Sequence, residues 1–155
     1  MPLLRAALSW NFVLATAICA SLLAQLIKVL LNLFIFHRFI AERMWGAGGM
    51  PSSHSATVCA MVVATGRYCG VNSPIVAIAA VLSIIVMYDA MGVRYETGEQ
   101  AKVLNRMFTE WMDQGFEQFQ LPHGKKLKEM VGHTPIEVVT GAALGIVLGF
   151  AMPMV

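Results

Sequence analysis

Residues 6–27 read AALSWNFVLATAICASLLAQLI and contain no charged side chain. After Lys28 the apolar run continues through residues 29–36. A helix of about 20 apolar residues is long enough to cross the hydrocarbon core of a bilayer. The sequence therefore predicts a transmembrane helix over residues 6–36, which is long, tilted or broken.

A secretory signal peptide is the alternative explanation of this N-terminal run. Arg5 precedes it, and Ile18-Cys19-Ala20 weakly resembles a cleavage site. The apolar core of a signal peptide is only about 7–15 residues long. Because the run here is longer and continues beyond Lys28, we expect a retained membrane span.

The composition also indicates a membrane protein. Of the 155 residues, 57% are hydrophobic and 13% are charged, whereas soluble domains carry roughly 25% charged residues. So few charges leave too little polar surface for a water-soluble protein of this length. The length itself is that of a single domain, over residues 1–155. The net charge of +2 is too small to indicate a nucleic-acid partner.

Three cysteines, Cys19, Cys59 and Cys69, lie in apolar stretches. An odd number of scattered cysteines without a CxxC spacing argues against a disulfide framework or a metal site. We expect them to be small buried hydrophobic residues.

Three further apolar stretches follow the first. Tyr68–Tyr88 and Val138–Val155 are uncharged, while Met44–Gly66 is rich in Gly, Pro and Ser in its first half. Helix-start signals place one helix at Ser53 and the next at Pro74. We therefore predict an all-α, integral membrane bundle of about four transmembrane helices, with spans over about residues 6–36, 53–66, 74–92 and 136–155.

A polar insertion, residues 94–132, separates the last two spans. Its centre carries apolar residues at helical spacing on one face, with charged residues elsewhere. The fold prediction includes it as an amphipathic helix in the membrane interface, which Trp and Phe favour. The alternative is a helix packed on the protein. The apolar face consists of Val103, Leu104, Met107, Phe108, Trp111 and Met112.

Two short polar clusters each precede an apolar helix. They are GGMPSSHS at residues 48–55 and GHTPIE at residues 132–137. The first backbone N–H groups of a helix have no internal partner, and the helix dipole adds roughly half a positive charge there. Such ends bind anions, phosphate in particular. Two of them facing each other would bring His54 and His133 to the two sides of one phosphoryl group.

Ordinary helix capping is the other explanation of these clusters. Ser53 can serve as an N-cap, and Thr134-Pro135-Ile136-Glu137 matches a capping box with proline at the first helical position. Taken alone, Glu137 is more often a cap than a catalytic group. The occurrence of both clusters in one chain favours a site.

The two clusters also carry a family resemblance. Pro51-Ser52-Ser53-His54 resembles the Pro-Ser-Gly-His motif of the type 2 phosphatidic-acid phosphatases, which share a fold with vanadium haloperoxidases. Residues 133–145 are similar to that superfamily's His-x-x-x-Asp motif and the glycine-rich helix after it. From about Gln25 onward, the chain is identified as a member of a divergent branch of small membrane proteins, the acid phosphatase/vanadium-dependent haloperoxidase-related proteins. That branch also shows patterns like DAMGVR at 89–94 and GEQA at 98–101.

The chain departs from the superfamily at the phosphate-binding cations. The first motif, a Lys and an Arg-Pro pair, is not intact, and the nearest basic residues, Lys28 and Arg38, have neither its spacing nor a following proline. The third motif normally has Ser-Arg before its histidine. Here that stretch holds Lys126 and Lys128, with a leucine at the arginine position. Arg94 is a candidate for the displaced arginine.

The resemblance implies a phosphohistidine mechanism. His133 would attack phosphorus, Glu137 would orient the imidazole in place of the superfamily's Asp, and His54 would act as general acid and then as base. No cofactor is expected, since the wider superfamily works without metal. The phosphoryl oxygens would be held by Ser52, Ser53, Arg94, Lys126 and Lys128.

Asp89 lies at the end of an apolar stretch. An ionisable residue there is either a functional group or one that extends to the interface. Together with Glu96 and Glu99 it is a weak candidate for binding a divalent metal, because hard cations prefer oxygen ligands.

These features predict a membrane-embedded phosphatase that hydrolyses a lipid phosphate, such as a phospholipid or a polyprenyl phosphate, at the bilayer. One alternative is a protein that binds or transports a phosphorylated lipid without cleaving it, which the incomplete first motif favours. Another is a structural membrane protein whose clusters are only caps. A small bundle of this kind also suits a homodimer.

The distribution of basic residues predicts which side of the membrane holds the site. Four spans place both clusters and residues 94–132 on one side, which carries eight basic residues against two on the other. The positive-inside rule then predicts a cytoplasmic active face, in a bacterial inner membrane. The eight are Arg38, Arg43, Arg94, Lys102, Arg106, Lys125, Lys126 and Lys128, and the two are Arg5 and Arg67.

Overall fold

The computed structural model of the protein describes residues 11–36, 49–114, 126–129 and 131–154. These residues form helices and contain no strand, so the prediction of an all-α chain is confirmed. The predicted span over residues 6–10 and the end of the last span at Val155 lie outside the described residues. The helices are α1 (Phe12–Phe36), α2 (Ser53–Cys69), α3 (Pro74–Met91), α4 (Val93–Asp113) and α5 (Pro135–Ala151).

Among the described residues, two helices are long and apolar enough to cross a membrane. They are α1, over Phe12–Phe34, and α3, which begins at Pro74. This is fewer than the four spans expected. Helices α2 and α5 have 17 residues each, which at 1.5 Å per residue is about 25 Å. That length is at the lower limit of membrane-spanning helices, which is about 17 residues.

Helix α2 is the centre of the bundle and contacts α1, α3 and α5. Three glycines of α5, Gly141, Gly145 and Gly149, pack against the backbone or side chains of α2. Gly141 lies on Ser52 and Gly145 on Ala56, so that a methyl group on either glycine would overlap the backbone of α2. Small residues at this four-residue spacing allow membrane helices to approach closely. The same pairing shows that α2 and α5 run parallel.

Helix α1 runs antiparallel to α2. From the middle of α1, Gln25 donates from Nε2 to Ser53 Oγ over 3.3 Å, at the start of α2. Phe12, at the N-terminal end of α1, stacks near Tyr68 with 6.5 Å between ring centroids. The starts of α2 and α5 therefore meet beside the middle of α1, and we call this end of the α2–α5 pair the polar end.

The opposite end of the bundle is fastened by Arg67. Its Nη1 donates to the carbonyl oxygens of Gly149 and Met152, over 2.7 Å in each case. Its guanidinium also lies 5.5 Å from the centroid of the Phe12 ring. These contacts satisfy carbonyls at the C-terminal end of α5 that have no partner within the helix.

Helix α4 begins at the polar end, where Gly92 interrupts the helix that started at Pro74. Gly98, Ala101 and Asn105 form a buried line along it. Residues 127–129 lie along this line, since Asn105 exchanges hydrogen bonds with the backbone N–H and C=O of Leu127. On the apolar face, Val103, Leu104, Met107 and Met112 are exposed within the described part of the chain.

Candidate active site

His133 and Glu137 form a hydrogen-bonded pair at the start of α5. His133 Nδ1 lies 3.1 Å from Glu137 Oε2. The same carboxylate oxygen accepts the backbone N–H of Thr134 at 3.1 Å, as a capping box requires. The capping and the catalytic interpretations of Glu137 are therefore compatible, because one oxygen serves both. An ionised Glu137 accepts a hydrogen bond from Nδ1–H and so favours the tautomer with a free lone pair on Nε2.

The His133 imidazole is held firmly and is 1% exposed. Its backbone N–H donates to Ala90 O at the end of α3 over 3.0 Å. Nε2 is buried and has no hydrogen-bond partner among the residues that the structure describes. A buried polar atom without a protein partner is uncommon, so this nitrogen is the atom of the site best placed to act on a bound group.

His54 lies in the first turn of α2 and is exposed. Its ring centroid is 5.9 Å from that of His133, with the two ring planes at 68°. This separation is compatible with two imidazoles acting on one phosphoryl group, since catalytic groups must reach the same reacting atoms. The structure therefore brings His54, His133 and Glu137 together.

Ser52 and Ser53 connect three helices at the site through hydrogen bonds. Ser52 caps α2 and is fully buried, and its Oγ accepts from the backbone N–H and the hydroxyl of Ser55. Its own backbone N–H donates to Glu137 O over 2.9 Å. Ser53 accepts from Gln25. These bonds join α1, α2 and α5 directly beneath the two histidines.

The corner between α3 and α4 forms a second side of the site. Arg94 Nε pairs with Asp89 Oδ2 at 2.5 Å, and both residues interact electrostatically with His54. Gly132 packs so closely on the backbone of Arg94 and Tyr95 that a methyl group there would overlap it. The corner and the residue before His133 are thus in direct contact.

Lys126 and Lys128 lie elsewhere. Both are exposed, and Leu127 between them is bonded to Asn105. Asn105 is eleven residues beyond Arg94, about 16 Å along α4 at 1.5 Å per residue. No described contact joins either lysine to the histidines.

The weak metal candidates do not converge within the described residues. Asp89 pairs with Arg94, and Glu99 accepts from Lys102 Nζ over 2.6 Å. Glu96 is exposed in the first turn of α4. In the described ranges, no three His, Cys, Asp or Glu side chains are arranged to hold a metal ion.

The comparison with known sequences identifies the family. The profile of the Divergent PAP2 family matches residues 9–148. The chain belongs to this family. It is 38% identical over 144 residues to the uncharacterized membrane protein YuiD of Bacillus subtilis (strain 168), over 89% of this chain and 91% of that protein. No solved structure matches the chain. The expected membership of a divergent branch is confirmed, and the protein is a membrane protein.

In this Divergent PAP2 family member, the structure adds one residue to those expected at the site. Lys28 is 1% exposed. Its side chain lies against Gly49, so that a methyl group added to this glycine would stand 3.5 Å from Lys28 Cδ. Lys28 interacts electrostatically with Glu137 and His54. The available signal was a lysine within an apolar span, which is a functional candidate in itself. Arg38, the other basic candidate, lies outside the described residues.

Proposed function

We propose that this protein is a membrane-embedded phosphatase that hydrolyses a lipid phosphate through a phosphohistidine intermediate. One observation carries the proposal. His133 is buried with Nδ1 held by Glu137, while Nε2 has no partner in the described chain and the imidazole of His54 lies beside it. A nucleophile oriented by a third group next to an acid–base residue is the arrangement that covalent catalysis requires.

In the first half-reaction, the lone pair of His133 Nε2 attacks phosphorus. A P–N bond forms as the bond between phosphorus and the leaving oxygen breaks. Protonated His54 donates its proton to that oxygen, so the lipid alcohol leaves neutral. Glu137 stabilises the positive charge that develops on the His133 ring.

In the second half-reaction, neutral His54 takes a proton from water. The resulting hydroxide oxygen attacks phosphorus, the P–N bond breaks, and inorganic phosphate is released. His133 regains its lone pair and His54 its proton. One histidine can serve as acid and then as base because imidazole titrates near neutral pH.

Charge stabilisation supports the same assignment. Phosphoryl transfer depends mainly on positioning and on neutralising the phosphoryl oxygens. Of the described cations, Lys28 and Arg94 interact electrostatically with His54. The start of α2 adds the partial positive charge of a helix N-terminus. We propose that Lys28 and Arg94, with Ser52 and Ser53, hold the phosphoryl group. Lys126 and Lys128 flank Leu127, which is bonded to Asn105 in α4, well away from Arg94. They do not contribute in this arrangement.

The substrate class follows from the position of the site. The polar end joins two helices long and apolar enough to cross the membrane, so a bound phosphate lies close to the lipid tails. We propose that all four apolar helices span the bilayer and that α4 lies in the interface with its exposed apolar face toward lipid. A phospholipid or polyprenyl phosphate, with its phosphate in water and its tail in the bilayer, suits this geometry.

Release of inorganic phosphate tests the proposal. Purified protein in detergent or in vesicles is incubated with a panel of lipid phosphates, and free phosphate is measured. We expect release from at least one lipid. Binding of a lipid phosphate without any release would instead support the alternative of a binding or transport protein.

Glu137→Gln separates catalysis from capping. The amide oxygen can still accept from Thr134 and His133, so the cap is kept, but the amide carries no charge to stabilise the imidazolium form of His133. We expect kcat to fall on the order of 10²-fold to 10⁴-fold, while the unfolding temperature changes by only a few degrees. A large loss of stability with near-normal kcat would assign Glu137 to capping alone.

We propose that the polar end faces the cytoplasm. In a background without Cys19, Cys59 and Cys69, a cysteine introduced at Gln114 should be protected from an impermeant thiol reagent in intact cells and react after lysis. A cysteine introduced at Asn72, in the turn at the other end, should react in intact cells. The opposite pattern would contradict this topology.

A further inference from the structure

The Asp89–Arg94 ion pair contains a residue, Asp89, to which neither the proposed mechanism nor helix capping gives a role. Asp89 is the sole charged residue in α3, and its side chain is 41% exposed, against 51% for Arg94. Exposed ion pairs contribute only about 0–1 kcal/mol to stability. A carboxylate in the last turn of a helix is also opposed by the helix dipole, so stability does not account for its position.

The pairing depends on the break in the helix. Residues five apart in a continuous α-helix point about 140° away from each other, so Asp89 and Arg94 could not meet across an unbroken helix. At Gly92 the backbone leaves helical geometry, with φ −98° and ψ −95°. The change of direction brings the guanidinium of Arg94 back onto the carboxylate of Asp89.

The corner that carries this pair is fixed to the nucleophile. Ala90, the residue after Asp89, accepts the backbone N–H of His133. On the other side of Gly92, the backbone of Arg94 and Tyr95 lies directly on Gly132. Contacts on both sides of the corner therefore set the distance between the ion pair and His133. Both members of the pair also interact electrostatically with His54.

We propose that Asp89 is a positioning residue, which holds the Arg94 guanidinium at the corner that contacts Gly132 and His133, so that Arg94 can contact the substrate phosphate. This inference rests on the proposed function. Arginine has a long side chain with several rotamers, and fixing it in advance reduces the entropy lost when a ligand binds. Without Asp89, the Arg94 side chain would turn toward water or lipid headgroups. Asp89 thus acts on substrate binding and not on the chemical step.

The test compares Asp89→Asn with a matched ion pair away from the site. Glu110 pairs with Arg106 Nε at 2.9 Å on the exposed surface of α4, so Glu110→Gln removes a similar interaction. We expect Asp89→Asn to raise KM for the lipid phosphate about tenfold, the factor given by 1.4 kcal/mol of binding free energy, with kcat changed less than about twofold. Asp89→Glu should recover much of the loss, and Glu110→Gln should leave both constants unchanged.

Orthovanadate binding to the same variants separates this inference from the proposed function. If the wild type binds vanadate but releases no phosphate from lipids, hydrolysis fails as a proposal, while weaker vanadate binding in Asp89→Asn alone still supports positioning. An active wild type with an unchanged KM in Asp89→Asn, or equal losses in Asp89→Asn and Glu110→Gln, would overturn it. A wild type that neither hydrolyses nor binds would overturn it as well.

Discussion

Replacing His133 by alanine should abolish phosphate release from lipid phosphates, with a loss of about 10⁴-fold or more in kcat. Removal of a covalent nucleophile leaves only the contribution of binding and charge stabilisation. The fold should survive, since the His133 side chain makes its one described hydrogen bond to Glu137. The backbone bond from His133 to Ala90 does not depend on the side chain.

His123→Ala is the matched control for this experiment. His123 belongs to neither polar cluster, so the variant should retain wild-type kcat. The two proteins are compared for phosphate release and for helix content and unfolding temperature in detergent. Wild-type activity in His133→Ala would remove this residue as the nucleophile.

Gly145→Ala should destabilise the bundle strongly. The added methyl group would overlap the backbone oxygen of Ala56, which cannot move without separating α5 from α2. Overpacking a core typically costs about 1–3 kcal/mol, and we expect the upper end of that range because the obstacle is backbone. Gly145→Leu should prevent folding altogether.

Gly66→Ala provides the control, because it is the same change in a helix with space around it. A Cβ at Gly66 would stand 3.8 Å from Val71 Cγ1, which is ordinary contact. Alanine is also the better helix former by about 1 kcal/mol, so this variant should be as stable as the wild type or more so. Equal unfolding temperatures for the two variants would contradict the close packing of α2 on α5.

Local rules explain what could be predicted of the helices. Helix starts at Ser53 and Pro74 were predicted from serine and proline signals, which depend only on neighbouring residues. The capping box also predicted the start at Pro135, one residue before the predicted membrane span over 136–155. The proximity of His54, His133 and Glu137 was also expected, since both clusters begin helices at the same end of the bundle.

Contacts between distant residues account for what could not be predicted. The burial of Lys28 against Gly49 depends on how α1 packs along α2. Alanines of both helices share one core cluster there, Ala20, Ala24, Ala56 and Ala60. The Asp89–Arg94 pair depends on the break at Gly92. Lys126 and Lys128 lie away from the histidines because the Asn105 side chain is hydrogen-bonded to the backbone of Leu127. No sequence pattern predicts these hydrogen bonds.

The most direct test of the central claim is to trap the phosphorylated enzyme. Purified protein is mixed with a lipid carrying radiolabelled phosphate, quenched in base within one turnover, and mapped by peptide mass spectrometry. Phosphohistidine is stable in base and labile in acid. The proposed mechanism predicts base-stable, acid-labile label on His133, absent from His133→Ala. Release of phosphate by the wild type with no label on His133 at any time during turnover would contradict it.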